Sequence, residues 1–145
     1  MKKLLAMIFI YSLIFGFISG CTEDETISEV DIDLTELSMT MIEAEYQRII
    51  TNAEDNIGKT IRTYGSYRTL IIDNAGNYLH FIVVVPGDEC CWLGFEFIRD
   101  GDYNFPDDYP AQNSAILITG TLDKYTDSGS SFLFIAVDDL SVNNS

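Results

Sequence analysis

Three kinds of hydrophobic patterning follow one another along the chain. Residues 4–17 are almost uninterruptedly apolar. Over residues 37–55 the apolar positions recur with helical spacing, placing Ile42, Tyr46, Ile49, Ile50 and Ala53 on one stripe. A single stripe implies one docked face. Ser38 is a candidate N-cap with Leu37 and Ile42 as a hydrophobic staple, and Thr40 with Glu43 is the rival capping box. Asn56 and Gly58 supply stop signals.

After Gly58 the period becomes two, and five strands are predicted: residues 59–67, 78–85, 91–98, 115–122 and 132–137. Residues 68–77 contain the turn-rich Asp73-Asn74-Ala75-Gly76-Asn77, and Pro86-Gly87 ends the second strand. Residues 99–114 carry Pro106, Pro110 and several aspartates and read as a loop, while Asp127-Ser128-Gly129-Ser130 turns the last hairpin. Five short strands and one helix predict a mainly β domain with an N-terminal helix, arranged as a five-stranded OB-like barrel that removes exposed sheet edges. A small open antiparallel α+β sheet is the second architecture. Gly65 and Gly120 fall mid-strand, where a barrel needs sharp coiling or close backbone approach. The helix would cover the barrel mouth.

The amino terminus reads as an address. Lys2 and Lys3 precede the apolar run, and small residues lead into Cys21, the layout of a secretory signal over 1–20. The apolar run is shorter than the ~20 residues that span a bilayer. Residues 21–34 are rich in acids, from Glu23 to Asp33, whose mutual repulsion favours an extended tether. Packing of Val30, Ile32 and Leu34 on the domain is the alternative for its end. The domain proper then occupies 35–145.

Charge narrows the function classes. The 145 residues carry 8 Lys and Arg against 23 Asp and Glu, a formal net charge of −15, which disfavours a nucleic-acid partner. An apolar fraction of 47% excludes a disordered acidic tail as the main content.

Ile18-Ser19-Gly20-Cys21 resembles the lipobox of bacterial lipoproteins. That resemblance implies cleavage before Cys21 and diacylglycerol and palmitate on it. The chain would then meet its membrane partner through lipid, on the extracytoplasmic face. Further along, Asn56-Ile57-Gly58-Lys59-Thr60-Ile61-Arg62, Tyr64-Gly65-Ser66-Tyr67, Cys90-Cys91-Trp92-Leu93-Gly94-Phe95-Glu96-Phe97, Tyr109-Pro110 and Ile118-Thr119-Gly120-Thr121-Leu122 resemble a group of bacterial OB-fold lipoproteins of uncharacterised activity. The group implies an oligonucleotide/oligosaccharide-type barrel and no particular activity. Trp92-Leu93 departs from it, since smaller or polar residues are usual there.

Candidate chemistry is sparse. Adjacent Cys90 and Cys91 point to opposite faces of a strand. The pair reads as one core and one surface thiol, as a strained vicinal disulfide, or with His80 as part of a zinc site, for which Asp88 and Glu89 are further ligands. Asp100-Gly101-Asp102 opens like a calcium loop, but Phe105 and Ala111 stand where glycine and glutamate are needed. Asp100, Asp102, Asp107 and Asp108 then offer adventitious calcium binding at most. His80, the one histidine, lacks a recognisable nucleophile partner, so the chain reads as non-enzymatic. Tyr64, Tyr67, Tyr78 and Trp92 form a candidate aromatic platform. The expected binding patch is Tyr78, His80, Cys90, Trp92 and Glu96. The function expected is a binding or interaction module for a protein or glycan. A metal-binding or thiol-redox protein centred on the cysteine pair and a structural part of an envelope assembly are the rivals.

Overall fold

The computed structural model describes residues 30–73, 77–87 and 91–142. The signal, Cys21, Cys90 and most of the expected tether lie outside the described residues. Among the described residues no helix is long and apolar enough to cross a membrane.

The chain forms β1 (Ile32–Asp33), α1 (Met39–Thr51), the short α2 (Ala53–Asn56), β2 (Thr60–Ile71), β3 (Tyr78–Val85), β4 (Leu93–Arg99), β5 (Ala115–Asp127) and β6 (Ser130–Val142). The strands make one mixed sheet in the order β1-β2-β3-β4-β6-β5, and a further antiparallel pairing of β2 with β5 closes five of them into a ring. β4 and β6 run parallel, as do β1 and β2. The open antiparallel sheet considered from the sequence is therefore corrected: the β2–β5 ladder closes the sheet on itself, and two of its pairings are parallel.

Alternation explains the interior. Ile61, Tyr67, Ile82, Val84, Phe95, Phe97, Ile116, Ile118, Leu122 and Ile135 are all buried and form one core with Ile49 of α1. The amphipathic stripe docks as its spacing requires, with Ile49 fully buried and Ile42 and Tyr46 packed against the core, while Ile50 stays exposed. Ser38 holds the N-cap position without a side-chain hydrogen bond. The helical segment ends at Asn56, whose buried amide donates to the Asn52 carbonyl at 2.8 Å and accepts from Lys59 Nζ at 3.0 Å. Gly58 then turns the chain into β2 at φ +84°, a conformation a side chain disfavours.

A methyl group at Gly65 would overlap the Val83 carbonyl and come within 2.7 Å of Ile82 Cγ1. One at Gly120 would overlap the Ala136 carbonyl and come within 2.8 Å of Ile135 Cγ2. Both glycines thus permit the close strand approach that tight closure of a sheet demands.

Several boundaries differ from the sequence reading. β2 continues to Ile71 because residues 68–71 pair with Tyr78 to Phe81 of β3. β5 and β6 extend through Asp127 and from Ser130, joined by Ser128 at φ 50° and Gly129 at φ +84°. Positive φ at both turn residues is the two-residue geometry that matches strand twist. The end of the expected tether is also revised. Ile32 and Leu34 are buried, Leu34 N–H donates to the Arg62 carbonyl at 2.9 Å, and Asp31 accepts from Thr60 N–H at 2.8 Å. Residues 100–114 form a loop, one residue shorter than expected because Arg99 still pairs with Val137 of β6.

Candidate binding groove

β4 changes partners halfway along. Residues 93–96 pair with β3, and residues 96–99 pair with β6. Glu96 sits at the changeover, opposite Phe81 on one side and Phe134 on the other. Residues 78–80 of β3 pair with β2 but extend past the β3–β4 ladder, so the strands splay there.

A groove follows this splay in two connected parts. The first, about 570 Å³, runs from Tyr46 and Ile50 of α1 past Phe81 and Glu96 to Tyr125 and Phe132. The second, about 490 Å³, is lined by Tyr78, His80, Phe97, Arg99 and Tyr109. They share Ile72, Leu79, Glu96, Tyr125 and Asp127. A larger surface hollow of about 820 Å³ lies between β1 and α1, where Glu45 and Arg48 are engaged with each other.

Glu96 is 8% exposed, and Tyr125 Oη donates to its Oε2 at 2.8 Å. Burial pushes its carboxyl above the usual carboxylate range, and the Tyr125 hydrogen bond opposes that only in part. Desolvation, then the hydrogen bond to Glu96 and the charges of Glu96 and Asp127, push the Tyr125 phenol up to about 12. Tyr125 lies 5.5 Å from Phe132, centroid to centroid, with the rings nearly parallel.

At the other end His80 is enclosed by rings. It stacks on Tyr109 at 3.9 Å, has Phe105 at 5.6 Å, and shares a 2.7 Å hydrogen bond between Nδ1 and Tyr67 Oη. Burial pushes its imidazole down to about 4, so the ring is neutral at pH 7. Arg99 covers this end, 3.6 Å from the Tyr103 ring centre, and donates to the Asp108 carbonyl at 2.7 Å.

The structure thus brings Tyr78, His80 and Glu96 to one groove and leaves Trp92 out of it. Trp92 packs edge-on against Phe81 at 5.4 Å, with Arg68 at 5.9 Å from its ring. The expected aromatic platform is not assembled: Tyr67 is buried in the core, whereas Tyr64 is exposed. Tyr46, Phe81, Tyr109, Tyr125 and Phe132 line the groove although the expected patch included none of them.

Asp88, Glu89 and Cys90 of the expected zinc set lie outside the described residues, and its other two members, Cys91 and His80, are set apart. Cys91 is exposed and precedes Leu93, which pairs with Val85 at the far end of β3. Five residues of strand separate Val85 from His80, about 17 Å. Among the described residues no three His, Cys, Asp or Glu side chains are grouped to hold a metal ion. Asp108, one of the calcium candidates, accepts from the Asn104 N–H at 2.8 Å, holding the loop in shape. No family model matches the chain, and no curated protein matches it.

Proposed function

We propose that the protein is a lipid-anchored, extracytoplasmic binding module built on an OB-type barrel, with the groove over β3 and β4 as its ligand site. The strand order β2-β3-β4-β6-β5, closing back on β2 with β4 and β6 parallel, supports the OB reading. OB barrels bind ligands across their second and third strands, between the loops after the first and fourth. In this chain those strands are β3 and β4, and the loops lie at 72–77 and 128–129. The observation that carries the reading is that the groove occupies this position, with Ile72 and Asp127 at its loop margins.

The basic start, apolar run and Ile18-Ser19-Gly20-Cys21 support anchoring by lipid. A net charge of −15 is repelled by anionic headgroups, so covalent acyl chains rather than surface attraction hold the domain at its membrane. The groove offers hydrogen bonding and aromatic stacking, and the role proposed is recognition.

Two measurements test this. Metabolic labelling with palmitate is expected to mark the wild type and not Cys21→Ser; equal labelling overturns the anchor. Amide chemical shifts recorded against panels of oligosaccharides and peptides are expected to move at Phe81, Glu96, Tyr125 and Phe132. Shifts confined to another face overturn the site.

A further inference from the structure

We infer that the groove takes a lysine side chain from an extended segment of a partner protein, with the ammonium at Glu96 and apolar neighbours in the two halves. The inference rests on the groove being the binding site and names what fills it.

A carboxylate withdrawn from water needs a cation or several hydrogen bonds to offset its desolvation. Glu96 is among the few buried charged side chains, and the hydrogen bond it receives comes from a neutral phenol. The ion pairs among the described residues are Arg48–Glu45, Arg62–Asp33 and Lys124–Glu54, none of which involves Glu96. Lys124 lines the same groove, but Glu54 holds its ammonium at 2.6 Å. The site therefore presents a buried carboxyl that no cation among the described residues pairs.

The surroundings specify the cation. Tyr46, Phe81, Tyr125 and Phe132 line the same groove as Glu96. Aromatic faces attract a cation, and an aliphatic stem packs on them without losing hydration energy. Tyr125 already occupies Oε2. A guanidinium prefers to grip both carboxylate oxygens in a fork, whereas an ammonium is a compact donor that needs one. Lysine fits the half-occupied carboxylate better than arginine.

The groove's length specifies the rest. Its two parts, about 570 and 490 Å³, meet at Glu96 and Tyr125. A free amine fills only the junction. An extended segment places its lysine there and apolar residues on either side, against Ile50 and Phe132 in one direction and Ile98 and Tyr78 in the other. Ile72, 58% exposed, and Phe132, 44% exposed, offer apolar contact at the rim. The net charge of −15 draws a basic segment in and speeds its encounter.

The test uses the full chain in neutral detergent micelles and three capped pentapeptides, Leu-Phe-X-Phe-Leu, with X as lysine, norleucine or glutamate. Affinity is read by calorimetry and location by chemical shifts. The lysine peptide is expected to bind at least about tenfold more tightly than the norleucine peptide, the glutamate peptide more weakly than either. Glu96→Gln, which keeps an acceptor for Tyr125, is expected to reduce the lysine preference to within about twofold. The wild-type contrast between lysine and norleucine stands even where that variant fails to fold. Equal binding of both peptides, with shifts at Tyr125 and Phe132, overturns the lysine inference and leaves the groove as a binding site. Shifts from no peptide at any groove residue overturn both.

Discussion

Acidification tests the packing around His80 more sharply than any truncation. The imidazole ordinarily titrates near 6.5, and burial among Tyr67, Phe105 and Tyr109 holds it at about 4. The unfolded chain therefore takes up a proton that the folded chain refuses. The stabilisation is present above pH 6.5 and is lost as pH falls from there toward 4. Linkage between those two values gives about 2 kcal/mol lost between pH 7 and pH 5. The ring is only about half buried, so solvent screening reduces this to about 1 kcal/mol. Tyr67 and Tyr109 have phenols pushed upward by burial and stay neutral throughout this window. The many carboxylates also titrate on acidification, so the measurement is a difference. Urea unfolding of wild type and His80→Gln at pH 7, 6 and 5 is expected to show a wild-type advantage that shrinks by about 1 kcal/mol. Because the chain has one histidine, the same shift is readable directly as the imidazole's NMR titration. A midpoint near 6.5, or a gap between the two proteins that does not change with pH, refutes the enclosed neutral ring.

Gly120→Ala places a methyl onto the Ala136 carbonyl at the β5–β6 ladder and is expected to cost about 1–3 kcal/mol in urea unfolding. Phe97→Ala removes a ring 1% exposed at the centre of the core and is expected to cost about 3–5 kcal/mol by the same assay. Tyr46→Phe deletes the 3.1 Å hydrogen bond to the Gly94 carbonyl and is expected to cost about 1 kcal/mol, with hydrogen exchange accelerating first where α1 docks on β4.

The elements were legible wherever side-chain alternation carried the information. β3, with Ile82 and Val84 inward, and the stripe of α1 follow directly from spacing. Strand ends were legible only in part, because backbone pairing continues where alternation stops. Residues 68–71 pair with β3 although Leu70 and Ile71 are exposed, and β6 runs on through Asp138 and Asp139. The same cause hid half of the groove. Tyr125 and Phe132 face each other only because the last hairpin reaches its two-residue turn, which places them directly opposite. Trp92 shares strand parity with Glu96, but parity gives the face of a strand and not the distance along it. The sequence left tether and packing as alternatives for Ile32 and Leu34, because charge spacing alone does not show that Asp31 and Asp33 are engaged by Thr60 and Thr35.

How the ring is filled constrains where any ligand can sit. Small closed sheets either fill their interior with side chains or enclose a ligand chamber. Here Tyr67, Phe95 and Phe97 are at most 2% exposed, and together with six isoleucines and leucines they occupy the interior. A ligand of the proposed module would then sit between or upon strands. Two openings result from the change of partners at Glu96. Toward the start of β4, α1 lies across the sheet with Ile49 in the core and Tyr46 bonded to Gly94. Toward the start of β3, the rings around His80 wall the second part of the groove, which meets the first at Glu96 and Tyr125. The partner change in β4 thus provides both the seat for the helix and the opening beside it. The residue at the change is a buried glutamate, where an apolar side chain would pack at lower electrostatic cost, and that cost is the physical reason to look for a cation in the groove.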